Sequence, residues 1–292
     1  MAGDQMVGKV PVTNLDRILY PFLGVSKKEV IGYYIRSAPR ILPFLSGRAL
    51  VMQRFPDGVA GQGFYEKDAP PGTPDWVTLF SHGSRTAERE IRYVVCDSPD
   101  TLIWLANLAA LELNIILART DDPERPDMLL FDLDPEPPAG FPEAVETALA
   151  LSELLGELGL SPFVKTSGRK GLHVVIPLDR IYGFDETRTF VHAIGILLSR
   201  RLPKVVSELS GTHKPGTVFV DYLQNAAWKT MIAPYSLRAT EQATVSMPLS
   251  WEEVRKGIMP EDFTIRTAIS RQGDPWKEFF DQAERLPAVN NE

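Results

Sequence analysis

The sequence predicts an α+β fold, a mixed α/β chain in which strands and helices follow one another in no regular order. Three observations carry this. Ser26-Lys27-Lys28-Glu29 and Ser250-Trp251-Glu252-Glu253 are capping boxes that mark helix starts. Runs such as EIRYVV, LHVVIPL and TVFVDYL, rich in β-branched and aromatic residues, read as strands. The length of 292 residues suits one large domain or two intimate lobes.

Taken in order, the first helix opens at Ser26 and runs to about Phe44. Val30, Tyr33, Tyr34, Ala38 and Ile41 form its apolar stripe. Pro39 is expected to bend it and Pro43 to help end it. ALVMQRF is a short strand candidate, and a loop rich in Gly, Pro and Asp follows from Pro56 to Pro74. Residues 90–95, EIRYVV, read as a strand. Ser98-Pro99 starts a helix with a serine cap and proline in the first turn. That helix, DTLIWLANLAALEL, is apolar nearly all round and so is expected to be buried. MLLFDLD is a strand and FPEAVETALALSELLGELG a helix. SPFVKTSG and LHVVIPL form a strand, a glycine turn and a second strand. DETRTFVHAIGILLSRRL is a helix capped by Asp185, TVFVDYL a strand, and WKEFFDQAERL a closing helix. No repeat and no low-complexity tract interrupts this order.

Composition sets bounds on function. Hydrophobic residues are 44% and charged residues 24%, ordinary for a soluble globular chain. No run of apolar residues is long enough to span a membrane, and the N-terminus has no apolar signal core. Cys96 is the single cysteine, which excludes an intrachain disulfide framework and a cysteine zinc site and points to the cytoplasm. Net charge is −7, but its distribution is blocked: residues 1–60 carry +4, residues 97–161 carry −12 and residues 162–240 carry +6. An acidic block flanked by basic ones suits a metal-dependent site for a polyanionic substrate.

Asp132 and Asp134 are the most informative residues. They follow the apolar run Met128–Phe131, and in a strand residues i and i+2 share a face, ~6–7 Å apart. Carboxylates so placed stay ionised when a cation lies between them, and a divalent metal is the simplest one. Two solvated aspartates before a turn is the alternative. Asp221, in a strand-like run, is either a third ligand or a buried acid paired with a cation. Three converging carboxylates can hold two hard cations.

The segment Lys165-Thr166-Ser167-Gly168-Arg169-Lys170-Gly171-Leu172-His173 resembles a phosphate cradle. Gly168 and Gly171 clear space, exposed N–H groups can bind anions, and Ser167, Arg169, Lys170 and His173 add donors and charge. A basic hairpin turn is the alternative. The segment is not a Walker A loop, and no GxGxxG, HExxH or GxSxG motif is present. Arg238, in APYSLRA, is a phosphate-binding or a surface residue. Phe64 and Tyr65 either stack on bases or anchor their loop. His192 reads as structural, and His82 and His213 as solvated loop residues.

FDLDP, TSGRKGLHVVIPL, VFVDYLQN and APYSLRA, in this order and spacing, resemble the ligase-D-type polymerases of the archaeo-eukaryotic primase superfamily. VTNLDRILYP, SKKEVIGYY and FYEKDAP add to the likeness, which runs from about Val10 to about Arg285. The resemblance implies a primase-like catalytic core of central sheets flanked by helices. It implies one primase-polymerase domain over residues 1–292, with a DNA-binding portion, 1–95, packed on a catalytic core, 96–292. Asp132, Asp134 and Asp221 would be catalytic ligands of two divalent ions, Mn or Mg. Ser167, Arg169, Lys170, His173, Gln224, Arg238 and Asn114 would bind the nucleotide. Arg17, Lys27, Phe64, Tyr65 and Lys214 would bind DNA, with Arg17 and Lys27 at a downstream 5′-phosphate.

The expected function is primer extension at gaps or broken ends in DNA repair, gap filling or end joining, with a preference for ribonucleotides. The partners implied are gapped or broken DNA with a 5′-phosphate, NTP or dNTP, a DNA ligase and an end-binding protein, for a monomer in the bacterial cytoplasm near the nucleoid. The chain departs from the family at Asn114, where many members have His. Arg17 stands for a more usual Lys, Thr217 for Lys, and Arg169 for a small residue. No KxDG ligase motif occurs, and the start at Met1 leads us to expect a stand-alone polymerase. The competing readings are a metal-dependent nuclease or phosphohydrolase using the same aspartates, and a non-catalytic DNA-gap-binding module.

Overall fold

The computed structural model describes residues 5–84, 89–208 and 214–287. Contacts divide the chain into two units. The first takes residues 1–116, 232–246 and 263–272, and the second takes 117–231, 247–262 and 273–292. The junction expected at residues 95 and 96 therefore falls inside the first unit.

The first unit begins with two short hairpins, β1 (Gln5–Val7) with β2 (Val10–Val12) and β3 (Ile18–Tyr20) with β4 (Val25–Ser26). Helix α1 (Lys27–Leu45) follows. The Ser26 hydroxyl accepts from Glu29 N–H and the Glu29 carboxylate accepts from Ser26 N–H, the reciprocal cap that the sequence spells out. Pro39 and Pro43 both lie within this helix, which ends at Leu45 with Ser46 as cap. Strands β5 (Leu50–Arg54) and β6 (Phe64–Glu66) pair antiparallel. The segment read as a loop thus contains an edge strand. The hairpin of β7 (Thr78–Ser84) and β8 (Arg89–Val95) precedes helix α2 (Pro99–Asn107) and β9 (Ala110–Ile116), which pairs with β5.

Helix α2 is shorter than expected. Its last carbonyls accept from Leu108 and Ala109 N–H, and Ala109 takes a left-handed φ of 55° that breaks the helix. The Ala109 carbonyl accepts from Phe55 N–H at 2.9 Å, so tertiary pairing holds the strained residue and turns ALEL into a strand. Residues 232–246 join this unit through buried tyrosines. Tyr33 Oη donates to the Tyr235 carbonyl at 2.7 Å, and Tyr34 Oη accepts from Leu237 N–H at 3.2 Å.

The second unit is built on a six-stranded sheet. After β10 (Ala118–Arg119) and β11 (Asp122–Pro126) come β12 (Met128–Pro135), helix α3 (Phe141–Glu157), β13 (Phe163–Thr166), β14 (Leu172–Pro177), helix α4 (Phe184–Arg201), β15 (Val205–Val206) and β16 (Val218–Val220). β17 (Thr230–Ile232) spans the chain junction, and β18 (Pro248–Leu249) precedes helix α5 (Trp251–Lys256). The sheet order is β15-β16-β12-β14-β13-β18, antiparallel except for β15 with β16. α3 packs on β12, β14 and β16. Phe131, Leu133, Val164, Leu172 and Val174 are wholly buried in its core.

Three expectations are corrected here. Helix α4 is capped at Gly183, whose N–H donates to Glu186 at 2.7 Å, and Asp185 lies in the first turn. TVFVDYL is a strand only to Val220. The Asp221 carboxylate accepts from Leu223 N–H at 3.0 Å and starts a 3-10 turn, Tyr222–Asn225. The closing segment is no α-helix: it has one 3-10 turn, Phe279–Gln282. Trp276 donates to the Val164 carbonyl at 3.0 Å and stacks on Phe279 at 4.9 Å, while Glu284 bridges to Leu178. These anchors pull the chain along the sheet.

A Cβ at Gly171 would run into the Leu133 carbonyl oxygen, whereas Gly156 in α3 faces open space. Gly171→Ala is expected to destabilise the fold by roughly 1–3 kcal/mol. Gly156→Ala should stabilise it by up to about 1 kcal/mol. Chemical denaturation of the two variants checks both signs.

Candidate active site

Register brings the acidic residues together in the second unit. Leu133 pairs with Val220 on β16, and the Asp221 N–H donates to the Asp132 carbonyl at 3.0 Å, so Asp221 stands across from Asp132. On the other edge of β12, Asp132 pairs with His173, which in turn pairs with Lys165 on β13. Directly opposed residues share a face, with Cβ atoms ~4.5–5.5 Å apart. Asp132, His173 and Lys165 thus form one row across the sheet, beginning beside Asp221. Lys165 is wholly buried. Asn225 was not anticipated: its amide donates to the Leu130 carbonyl at 2.7 Å and accepts from Leu130 N–H at 2.9 Å. That pair of hydrogen bonds ties the Asp221 turn to β12. A buried Asn just after a candidate acid was the available signal.

Each carboxylate already meets a donor. His173 Nε2 lies 3.4 Å from Asp132 Oδ1, and Lys170 Nζ lies 3.1 Å from Asp134 Oδ1. Gln224 Nε2 donates to Asp221 Oδ2 at 3.2 Å. Lys170 also lies 3.6 Å from Glu136 Oε1, an acid the sequence reading passed over. Partial burial works against the charge on Lys170, but bonding to Asp134 and the nearby Glu136 outweigh it and raise its pKa. Among the described residues, no three Asp, Glu, His or Cys side chains converge as a ready metal cage. The donor set is nonetheless hard oxygen, and Lys170 is a cation standing at one of its members.

The cradle differs in detail from expectation. The Ser167 hydroxyl accepts from Arg169 N–H at 3.3 Å and Gly171 N–H at 3.2 Å, so those backbone donors serve the turn itself. Gly168 is needed for its φ of 73° and Gly171 for its approach to Leu133, rather than to clear room for a ligand. Arg169 and Lys170 are exposed on this turn, and Lys214 is exposed ahead of β16. His192 is half-buried and stacks on Tyr222 at 4.2 Å. His213 lies outside the described residues.

The first unit holds the remaining candidates. Lys27 is buried, and its Nζ donates to the Thr13 carbonyl at 2.9 Å. Arg17 is exposed; it donates to the Pro56 carbonyl at 2.6 Å and meets Asp57 at 3.2 Å. Burial first, and then the charges of Arg17 and Arg54, lower the Lys27 pKa to about 8. Phe64 and Tyr65 are exposed on edge strand β6 rather than anchored in a core, and Arg54 stacks over Phe64 at 5.3 Å. Arg238 is mostly buried and lies 3.2 Å from the buried Glu112. Asn114 donates to the Val51 carbonyl at 3.1 Å. His82 lies on β7, half-buried beside Phe80, and is not a solvated loop residue.

Comparison with known proteins follows the same lines. A family model described as LigD, primase-polymerase domain, matches residues 26–276. The bifunctional non-homologous end joining protein LigD of Bacillus subtilis is 35% identical over 288 residues, covering 96% of this chain and 46% of that protein. The multifunctional non-homologous end joining protein LigD of Mycolicibacterium smegmatis is 33% identical over 257 residues, covering 86% of this chain and 33% of that protein. This chain thus spans from a third to just under half of those relatives' length. The solved polymerase domain from Mycobacterium tuberculosis ligase D, in complex with DNA, superposes with a TM-score of 0.85 at 31% identity, covering 94% of this chain and 99% of that one.

Because folding lowers the Lys27 pKa from 10.5 to about 8, the folded state binds fewer protons than the unfolded state between those values. Stability carried by this residue should therefore rise with pH through that window. Lys27→Met should flatten the rise, as measured by denaturant midpoints from pH 7 to pH 10.

Proposed function

We propose, since the chain belongs to the LigD primase-polymerase domain family, that it extends a primer 3′-hydroxyl at gaps or broken DNA ends. The observation that carries this reading is the placing of Asp221 across from Asp132, with Asp134 two residues on and Lys170 and His173 beside them. The family is metal-dependent. Two divalent ions, manganese or magnesium, would be held by Asp132, Asp134 and Asp221 and would supply charge that activates the attacking hydroxyl and offsets the leaving pyrophosphate.

The chain's own residues do the rest. Ser167, Arg169, Lys170, His173 and Gln224 bind and orient the triphosphate and sugar, Lys170 and His173 by charge-assisted hydrogen bonds to phosphate oxygens. Asn114 and Arg238 are further candidate nucleotide contacts. Arg17 and Lys27 bind the downstream 5′-phosphate, and their unequal exposure suits a rim and a floor. Phe64 and Tyr65 stack on exposed bases. Lys214 meets the template backbone. Residues 1–95 supply the DNA-binding portion and 96–292 the catalytic core, a division by role that does not follow the two compact units. The enzyme prefers ribonucleotides and serves gap filling or end joining with a ligase and an end-binding protein, as a monomer in the bacterial cytoplasm. No described helix is long and apolar enough to cross a membrane.

Primer extension on gapped DNA tests the reading, with NTPs against dNTPs and with a phosphorylated against an unphosphorylated downstream strand. Asp134→Ala should lose extension on the order of 10³-fold or more while still binding DNA, because two carboxylates hold two dications poorly once the third is lost. Normal extension by that variant, or shortened primers from the wild type, overturns the assignment. With the Lys27 pKa at about 8, preference for the phosphorylated gap should fall about tenfold between pH 7 and pH 9. Fluorescence anisotropy across that range checks it.

A further inference from the structure

Lys170 lies between two acids rather than against one. Its Nζ is 3.1 Å from Asp134 Oδ1 and 3.6 Å from Glu136 Oε1. The two acids differ in how they are held. Glu136 has its backbone bonded on both sides: its N–H donates to the Thr217 carbonyl at 2.8 Å, and its carbonyl accepts from Gly216 N–H at 3.0 Å. Lys170 sits on an exposed turn, with about half of its side chain open to solvent. Asp134 is held in β12 by its pairing with Phe219 on β16, so both acids stand on fixed backbone and the ammonium is the movable partner.

A divalent cation on Asp134 needs the carboxylate oxygens at ~2.0–2.6 Å. An ammonium at hydrogen-bond distance from the same group would repel it. Glu136 lies one residue past β12, but its N–H bond to Thr217 continues the pairing toward β16, which puts it ~6–7 Å from Asp134 on the same face. Lys170 can leave Asp134 for Glu136 by a small swing and never lose an opposing charge.

We infer that Glu136 is a positioning residue for Lys170, taking its ammonium when Asp134 engages a divalent cation. Lys170 would then be kept at the mouth of the turn, paired and oriented, rather than competing for the metal ligand or drifting into solvent. The inference rests on Asp134 being a metal ligand. It assigns Glu136 no contact with the ion.

The test is Mn²⁺ binding to the full chain without nucleotide or DNA, followed by electron paramagnetic resonance of the free ion. Wild type, Glu136→Gln, Lys170→Met and the double variant are compared, with circular dichroism to verify folding. Lys170→Met should bind Mn²⁺ more tightly than wild type. Glu136→Gln should weaken binding at least about threefold when Lys170 is present and have a clearly smaller effect when Lys170 is Met, the scale of coupling expected for groups in contact. Equal losses in both backgrounds would mean Glu136 acts as a bare charge, and no loss in either would mean it does nothing. Both results overturn the inference. Asp134→Ala runs alongside: if it binds Mn²⁺ as wild type does, the metal assignment itself has failed, whereas a loss there with no coupling removes only the role of Glu136.

Discussion

Strand β12 is hydrogen-bonded along both edges, to β16 on one side and to β14 on the other, and its side chains alternate between faces. A slip of one residue would turn Asp132 and Asp134 into the side where Phe131 and Leu133 are wholly buried. Burying unpaired carboxylates costs several kcal/mol each, so the apolar residues of this strand enforce the position of the acidic ones. The same register places His173 and Asp221 on either side of Asp132. Packing and chemistry are specified by one set of backbone hydrogen bonds.

The acids collected in this way repel one another, and the second unit sets the Lys170 ammonium and the His173 imidazole against them. Lys170 and His173 flank Gly171, whose missing side chain lets β14 approach the Leu133 carbonyl. A bulkier residue there would move both donors away from the acids. The first unit makes the opposite arrangement. It buries Lys27 and sets Arg17 and Arg54 near it, and burial first, then those charges, lower the Lys27 pKa. One region is preset for cations and the other for an anion.

Much of this was legible in sequence, and the misses share a cause. Asp132 and Asp134 announced themselves because an apolar run followed by alternating acids is a local pattern. The helix starts at Ser26 and Ser250 were equally local, since the capping residues lie within one turn. What failed depended on distant partners. ALEL reads as helix or strand by hydrophobicity alone, and pairing with β5 decides it. The closing segment has helical spacing, yet Trp276 and Glu284 are captured by residues far back in the chain. Gly171 looked like room for a ligand because Leu133 could not be seen from the turn. For Arg238 the sequence left a phosphate contact and a surface cation both open, because Glu112 could not be seen either.

The interleaving of the two units has a consequence for biosynthesis. Tyr33 and Tyr34 emerge early from the ribosome, but the backbone groups they bond, at Tyr235 and Leu237, emerge only after nearly all of the second unit's sheet strands. Tyr34 Oη can donate early to the Leu111 carbonyl, at 2.7 Å, but Tyr33 Oη must wait for Tyr235, so the first unit cannot finish its interior as it is made. Folding one unit at a time in chain order is closed to this chain, because the first unit is complete only once residues 232–246 have been made.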